Sequence, residues 1–461
     1  MKKENKMGVM PIGKLIITMS LPMMLSMLVQ ALYNVVDSIW VAKVGQDALT
    51  AISLAFPVQN LMIGFATGTG VGVNALVSRS LGEKNSEKAN TIAANGMFLS
   101  IVTSLFFMLF GFFGTKFFFS TQISPDSATF AYGVDYLSIC SIFSFGVFGQ
   151  IMVERFMQST GKTTLSMFSQ LSGALINIIL DPFLILGIGP FPRLEAKGAA
   201  VATVIGQIFA FCVGLVLNYF FNKEIRIKIK GFRPSGKYIA QIYKIGIPSI
   251  IMVAIGSIMT YLMNKILLSF TETAATVFGV YFKLQSFIFM PVFGLNNGII
   301  PIIAFNYGAG NKERMMKTVK FSLTLACSIM VIGTVLMWLI PEQMLMLFDA
   351  QAEMMEIGVP ALKIISTSFV VAGYCICLGS VFQSLGKSYY SMLVSIARQL
   401  IVLIPIAYLL SKTGNVNNVW LSFPIAEVMS AIASTISFIS VYKSTISKVG
   451  MTDRDKKESE A

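Results

Sequence analysis

The apolar residues of this chain form long, nearly uninterrupted runs. A run of about 20 apolar residues is the length that a helix needs to cross the hydrocarbon core of a bilayer. Twelve such runs can be marked, at residues 15–42, 49–78, 91–115, 129–153, 164–187, 198–221, 238–268, 274–303, 317–340, 358–382, 388–411 and 416–442. Alternating ten-residue segments, the mark of a membrane β-barrel, do not occur in the sequence. The pattern predicts an all-α polytopic membrane protein with twelve transmembrane helices.

The composition supports a membrane location. Of 461 residues, 55% are hydrophobic and 12% are charged, whereas a soluble globular protein carries roughly 25% charged residues. Such a chain cannot cover a soluble globule with polar side chains, so a soluble enzyme is excluded and the lipid bilayer is the expected partner. The five cysteines all lie inside apolar runs and indicate neither a disulfide framework nor a zinc site. No resident cofactor is expected.

The distribution of positive charge predicts the orientation. The net charge of +13 falls in short clusters between the apolar runs, a pattern that does not indicate nucleic-acid binding. With both termini in the cytoplasm, 26 of the 35 Lys and Arg residues lie inside and seven outside. This satisfies the positive-inside rule. The N-terminal segment lacks the features of a cleaved signal peptide, so we expect the first run to be retained as a helix.

The second half of the chain repeats the first. A shift of 226 residues superposes six pairs of residues, and a shift of 225 superposes Gln158–Lys162 on Gln383–Lys387. The superposed pairs are Pro22 with Pro248, Ala48 with Ala274, Gly68 with Gly294, Gly72 with Gly298, Gly82 with Gly308 and Asn85 with Asn311. Because each half has six helices, the halves are parallel repeats with the same orientation. The glycine pairs indicate close helix packing.

The predicted organisation is therefore two six-helix lobes. Residues 1–222 form the N-lobe, 223–237 a basic cytoplasmic linker, 238–450 the C-lobe, and 451–461 a disordered tail.

Four polar residues of the N-lobe share one depth in the membrane. Asp37 in predicted helix 1, Asp181 in helix 5 and Thr203 in helix 6 each lie six residues from the outer helix end, which is roughly 9 Å. Asn177 lies four residues before Asp181, on the same helical face. Two carboxylates, an amide and a hydroxyl suit a hard cation such as Na⁺, or a proton shared between like charges. Alternatively, the two acids are hydrogen-bonded structural residues on separate contacts.

The chain contains no histidine, so proton coupling must use carboxylates. Gln30, Tyr33 and Asp37 form one polar stripe on helix 1, which indicates a cavity for amphipathic organic molecules. In the C-lobe, Lys283, Arg398 and Glu427 lie near the middle of their helices. They form either a mutually neutralising structural cluster or a site that handles substrate or anions.

Several segments resemble the multidrug and toxic compound extrusion (MATE) family, and most of all its bacterial MepA-like branch. They are the helix 1 stretch Pro22–Asp37, the end of helix 2 at Ser78–Gly82, the segment Asn177–Pro182 and the paired Gln-Ser-x-Gly-Lys sequences. The resemblance implies a V-shaped, twelve-helix antiporter that expels cationic drugs and dyes in exchange for Na⁺ or H⁺.

Further expectations follow from the resemblance. It implies a cation site at Asp37, Asn177, Asp181 and Thr203, and a drug cavity that includes Gln30 and Tyr33. It also implies a monomer in the inner membrane of a bacterium. In the NorM branch helices 7 and 10 carry acids, but residues 246–268 and 358–382 carry none here. This departure argues against a second sodium site of that kind.

Two other functions remain open at the level of the sequence. A flippase for lipid-linked sugar precursors would need a cationic central cavity, for which Lys283 and Arg398 are candidates. A channel or receptor without coupled transport is the third class. An ATP-driven pump is excluded because the chain has no Walker-type loop.

Overall fold

The computed structural model describes residues 4–227, 231–348 and 350–450, and this part of the chain is almost entirely helical. Ten of its helices are long and apolar enough to cross a membrane, and two further spans are bent pairs of helices. In chain order the spans are α1 Ile12–Ala42, α2 Gln46–Gly82, α3 Ser86–Phe113, α4 Ala128–Ile142 with Phe145–Ser159, α5 Thr163–Leu186, α6 Ala196–Phe221, α7 Gly236–Leu268, α8 Glu272–Gly308, α9 Lys312–Leu339, α10 Ala352–Ser366 with Phe369–Ser384, α11 Ser388–Ser411 and α12 Val416–Ile446. Short helices occupy Lys6–Val9, Thr115–Ser120 and Pro341–Met346.

The all-α membrane fold is confirmed, and counting each bent pair as one span gives the predicted twelve. The predicted tail 451–461 lies outside the described residues. The bend in α10, of 49°, follows a run of hydroxyl residues. Ser366, Thr367 and Ser368 each donate a side-chain hydrogen bond to the carbonyl oxygen three residues earlier. Such bonds compete with the helical backbone pattern and favour a bend.

The internal repeat is also present in the backbone. The turn after α2 places Lys84 in the left-handed region with φ 59°, and the turn after α8 places Gly310 there with φ 70°. In each turn the next residue caps the following helix. The side chain of Asn85 accepts a hydrogen bond from a backbone N–H at 2.9 Å, and Asn311 does the same at 3.0 Å.

The chain packs into two compact units. The N-unit is Leu25–Ile250, and the C-unit combines Met1–Met24 with Ile251–Ala461. Two helices therefore change unit along their length. The change comes two residues after Pro22 in α1 and two residues after Pro248 in α7. The division by repeats, at the linker 223–237, stays a prediction.

Glycines on α2 hold the first half of α7 within the N-unit. A Cβ atom on Gly68 would lie 2.9 Å from the carbonyl oxygen of Gly246 and 3.2 Å from the amide nitrogen of Ile250. One turn further along, Gly72 packs against the backbone of Ile242. Because lipid is as apolar as the helix surface, helices associate in membranes through such close packing of small residues.

The equivalent glycines on α8 hold the first half of α1 within the C-unit. A Cβ atom on Gly294 would lie 2.5 Å from the amide nitrogen and the Cα atom of Met24. A Cβ atom on Gly298 would lie 2.8 Å from the Cα atom of Ser20, and the Ser20 hydroxyl donates to the carbonyl oxygen of Leu295 at 3.3 Å. The expectation that these glycines serve close packing is confirmed.

Two substitutions on α8 test this contact. We expect Gly294→Ala to destabilise the purified protein by about 1–3 kcal/mol, because the added methyl group meets backbone atoms that cannot move aside. Gly279→Ala on the same helix is the matched control, since a Cβ atom there meets nothing within 4 Å. It should gain about 0.5–1 kcal/mol of helix stability. Melting curves in detergent compare the two, and equal melting temperatures would contradict the packing role.

Candidate functional site

Helices α5 and α6 approach each other closely in the N-unit. A Cβ atom on Gly206 would lie 2.7 Å from the carbonyl oxygen of Gly173 and 3.2 Å from the Cβ atom of Asn177. This contact between small residues allows side chains on the two helices to meet. The side-chain nitrogen of Asn177 donates to the Thr203 hydroxyl at 3.4 Å.

The same amide group also contacts Asp181. The side-chain nitrogen of Asn177 lies 3.4 Å from Oδ1 of Asp181, as the spacing of four residues on one helix allows. Asp181 is fully buried, with 0% of its surface exposed. The next residue, Pro182, lies inside the helix and has no backbone N–H, which leaves a carbonyl oxygen one turn earlier without its usual donor.

Asp37 brings a second carboxylate to this place from α1. Its side chain is partly buried and lies near enough to Asp181 for the two charges to repel each other. Hydrogen bonds thus join Asn177 to Asp181 and Thr203, and Asp37 acts on Asp181 through its charge. Within the described residues, no Lys or Arg forms an ion pair with either carboxylate.

Three oxygen atoms of this cluster are buried and accept no hydrogen bond. They are Oδ1 of Asp37, Oδ1 of Asn177 and Oδ2 of Asp181. A buried acceptor without a donor costs about 1–3 kcal/mol, and three such oxygens together are chemically suited to accept a proton or a cation. Hard oxygen ligands suit Na⁺. The described residues contain no cluster of three or more His, Cys, Asp and Glu side chains, so the donor set does not resemble a transition-metal centre.

Gln30 and Tyr33 lie on the same stripe of α1 as Asp37. The side chain of Gln30 accepts a hydrogen bond from Gln170 of α5 at 3.0 Å. Tyr33 lies close enough to Asp37 and Asp181 for its hydroxyl to interact with their charges. The polar stripe of α1 thus faces α5, inside the N-unit.

The sequence did not single out three residues that complete the cluster. The side-chain nitrogen of Gln59 on α2 donates to the Tyr136 hydroxyl at 3.0 Å and to the Cys140 sulfur at 3.8 Å. The charge of Asp37 reaches both Tyr136 and Cys140. Two signals could have found them: Gln59 is a polar residue within an apolar run, and Tyr136 and Cys140 lie four residues apart on one helix face.

Two of the three charged C-lobe residues form an ion pair, and the third makes a separate contact. Arg398 donates to Glu427 at 2.6 Å, and both side chains are largely buried. Lys283 makes a different contact, with its Nζ atom 5.8 Å from the centre of the Phe348 ring. Among the described residues, no ion pair joins Lys283 to Glu427.

Two six-helix repeats with paired carboxylates buried among apolar spans define a polytopic membrane transporter. The sequence profile of the MatE family matches residues 22–183 and again 248–409, which together exceed half of the chain. The protein therefore belongs to the MATE family of multidrug export transporters. The two matches begin 226 residues apart, the shift that superposes the halves of the sequence.

Curated relatives match almost the whole chain. The multidrug export protein MepA of Staphylococcus haemolyticus (strain JCSC1435) is 28% identical over 428 residues, covering 91% of this chain and 92% of that protein. MepA of Staphylococcus aureus (strain MSSA476) is 27% identical, covering 92% and 93%. A FAD transporter of Shewanella oneidensis is 24% identical, covering 94% and 96%.

Solved structures share the fold. An outward-facing multidrug resistance transporter of the MATE family superposes with a TM-score of 0.89 at 23% identity, covering 96% of this chain and 99% of that one. A MATE protein in a bent conformation gives a TM-score of 0.87 at 23% identity, covering 97% of each chain.

These comparisons confirm the predicted MATE family and the predicted resemblance to its MepA-like members. Family members are transporters and not enzymes, as expected, and they use ion gradients and act on small molecules. The flippase alternative is not favoured, because the matching relatives include multidrug export proteins.

The unequal burial of the two carboxylates predicts unequal reactivity. A hydrophobic carbodiimide, which attacks protonated carboxyl groups within membranes, should label Asp37 several times faster than Asp181, because Asp37 is partly exposed and Asp181 is not. Peptide mass spectrometry after timed labelling measures both rates. Asp135, whose side chain is 38% exposed and pairs with Lys197 at 3.1 Å, serves as the more accessible reference and should react with a water-soluble carbodiimide. Equal rates at Asp37 and Asp181 would contradict the geometry.

Proposed function

We propose that the protein is a secondary-active multidrug antiporter that exports amphipathic organic cations in exchange for Na⁺ or H⁺ by alternating access. The observation that carries the proposal is the group of three buried, unpartnered oxygen atoms on Asp37, Asn177 and Asp181. Together with the Thr203 hydroxyl they form the coupling site. Gln30 and Tyr33 line the adjoining part of the substrate cavity.

The charge of the site supports ion coupling. Two carboxylates at membrane depth, with no basic partner among the described residues, carry up to two negative charges, and each charge costs several kcal/mol when it is removed from water. A proton or Na⁺ removes part of that cost by neutralising one charge. The conformations of the transporter differ in how much water reaches the site, so ion binding shifts the balance between them.

The same charge supports exchange of an ion for a cationic drug. A bound Na⁺ or proton and an organic cation are both stabilised by the negative potential of Asp37 and Asp181. Binding of one therefore weakens binding of the other. This competition for one charge is the physical basis of antiport, because the substrate leaves as the coupling ion enters.

The position of Asp37 supports a role in transmitting the effect of ion binding along α1. The residue lies on α1, whose first half belongs to the C-unit and whose second half, with Asp37, belongs to the N-unit. A change of charge at Asp37 acts on a helix that is anchored in both units. Asp37 is therefore the primary coupling residue of the proposal.

The proposal places the protein as a monomer in the cytoplasmic membrane of a bacterium, with both termini in the cytoplasm. The excess of Lys and Arg in the loops assigned to the inside supports this orientation.

Transport by Asp37→Asn tests the coupling site. Proteoliposomes loaded with a fluorescent cationic dye are given a Na⁺ gradient or a pH gradient separately. We expect the gradient that drives the wild-type protein to give about one tenth or less of the wild-type rate in the variant, and a factor of ten corresponds to about 1.4 kcal/mol. The asparagine side chain has the same shape as aspartate but carries no negative charge. It therefore cannot hold a coupling cation by charge neutralisation.

Asp135→Asn is the matched control, because it makes the same change at a carboxylate that already pairs with a basic residue, Lys197. It should transport at the wild-type rate. Native-rate transport by Asp37→Asn under the same gradient would refute the assignment of Asp37. Dye movement in the wild-type protein without any gradient dependence would refute antiport itself and point to a channel.

Reporter fusions test the proposed orientation. A green fluorescent protein fused after the C-terminus should fluoresce in cells, because it folds in the cytoplasm. Alkaline phosphatase fused at the same position should stay inactive, because this enzyme becomes active only on the outer side of the cytoplasmic membrane. The opposite result from the two fusions would reverse the orientation.

A further inference from the structure

Four charged side chains gather at the end of α6, on the surface of the N-unit. The helix ends at Phe221, and the charges of Lys223, Glu224 and Arg226 all act on Lys162, which directly precedes α5. Three cations and one anion leave an excess of positive charge. Among the described residues, none of the three cations forms an ion pair. This basic patch, Lys162 with Lys223 and Arg226, therefore attracts anions.

The segment that carries the basic patch is fixed to the helices around it. Asn222 is fully buried, and its side-chain nitrogen donates to the carbonyl oxygen of Phe156 at 3.2 Å. Ile225 is also buried, within an apolar core of the N-unit. The backbone N–H of Arg226 donates to the side-chain oxygen of Asn90 on α3. Because this backbone is already ordered, a ligand that binds here loses less entropy than it would on a mobile loop.

The hydrogen bonds of the patch position its cations without neutralising them. Nη1 of Arg226 donates to the carbonyl oxygen of Tyr219 at 2.9 Å, and the guanidinium carbon lies 5.1 Å from the centre of the Tyr219 ring. Nζ of Lys162 donates to the carbonyl oxygen of Phe221 at 2.7 Å and to Oδ1 of Asn222 at 3.3 Å. All of these acceptors are uncharged. A guanidinium group has five N–H donors, so donors remain for an anion.

Exposed aromatic side chains place the patch at the edge of the bilayer. Tyr219, Phe220 and Phe221, the last three residues of α6, are 65%, 63% and 59% exposed. Aromatic rings at the end of a spanning helix lie at the level of the lipid headgroups. One turn earlier, Leu215 and Val216 are exposed as well, so the apolar surface of α6 continues to the level of the acyl chains. A molecule bound here meets cations at one end and an apolar helix surface at the other.

We propose that the basic patch binds the phosphate group of an anionic glycerophospholipid, whose acyl chains lie along the exposed face of α6. The lipid supplies the negative charge that the patch lacks, and Lys and Arg near the membrane surface attract anionic lipids. A zwitterionic lipid carries its own positive group and gains less. The neighbouring apolar surface favours a lipid over a soluble phosphate compound. The site is separate from the coupling residues and goes beyond the proposed export function.

Native mass spectrometry of the full-length protein in detergent tests the site. Phosphatidylglycerol and phosphatidylcholine with the same acyl chains are titrated separately, and the affinity for the first bound lipid is measured. We expect the wild-type protein to prefer phosphatidylglycerol. The double variant Lys223→Gln with Arg226→Gln should bind phosphatidylglycerol about tenfold or more weakly, because each cation contributes about a factor of five at an anionic membrane surface. Its affinity for phosphatidylcholine should change less than about twofold.

Two further double variants separate a defined site from overall charge. Arg79→Gln with Lys88→Gln also removes two positive charges from the N-unit, but both side chains pair with Glu83, at 2.9 and 2.8 Å. This matched control should bind phosphatidylglycerol as the wild type does. Lys223→Arg with Arg226→Lys retains both charges and should keep most of the preference for the anionic lipid.

Three outcomes would overturn the inference. Equal loss of phosphatidylglycerol affinity in the two Gln double variants would show that the lipid responds to net charge alone. Equal affinity of the wild-type protein for the two lipids would remove the basis for an anionic site. Displacement of phosphatidylglycerol by glycerol phosphate, which has no acyl chains, would assign the patch to a soluble phosphate compound. The measurement uses no ion gradient and no dye, so its failure leaves the proposed export function to the transport experiment.

Discussion

The close approach of α5 and α6 at Gly173 and Gly206 is the contact on which the N-unit site depends. Without a side chain at either position, the backbone of one helix reaches the other. Asn177 can then donate both to Thr203 across the interface and to Asp181 on its own helix. Lipid gives no hydrophobic force between helices, so steric fit of this kind must hold the polar cluster in place.

The two charged clusters differ in what they leave unsatisfied. The N-unit cluster combines two carboxylates and presents open acceptors, and within the described residues no basic side chain pairs with either carboxylate. The C-unit pair sums to zero and presents an acceptor on Glu427 and donors on Arg398. The difference follows from a single basic side chain: Arg398 pairs with Glu427, whereas no ion pair involves Asp37 in the part of the chain that the structure describes.

Much of the architecture could be predicted because membrane helices are constrained by one simple requirement, the burial of their backbone in lipid. Each apolar run therefore corresponds to one helix or to a bent pair of helices, and the spacing of Asn177 and Asp181 places them on one face. The repeated turns also follow: Gly161 and Gly386, at equivalent positions, both adopt left-handed conformations with φ 83° and 73°.

Other features depend on how helices are rotated and paired, which periodicity in an apolar run does not determine. Gln59 and Cys140 resemble packing residues in the sequence, and only the positions of α2 and α4 bring them to Asp37. Lys283 has a depth similar to that of Glu427 but contacts Phe348, because depth alone does not fix direction around a helix. The exchange of the first halves of α1 and α7 likewise depends on long-range packing.

That exchange has a consequence for biosynthesis. The first half of α1 is synthesised long before the residues from Ile251 onward that complete its unit. The N-unit in turn needs the first half of α7 to cover the face of α2 that carries Gly68 and Gly72. A nascent chain that stops at the linker would insert six helices and leave this glycine face bare. The halves of the gene therefore cannot be separated at the linker without leaving each product short of a helix segment that its own packing requires.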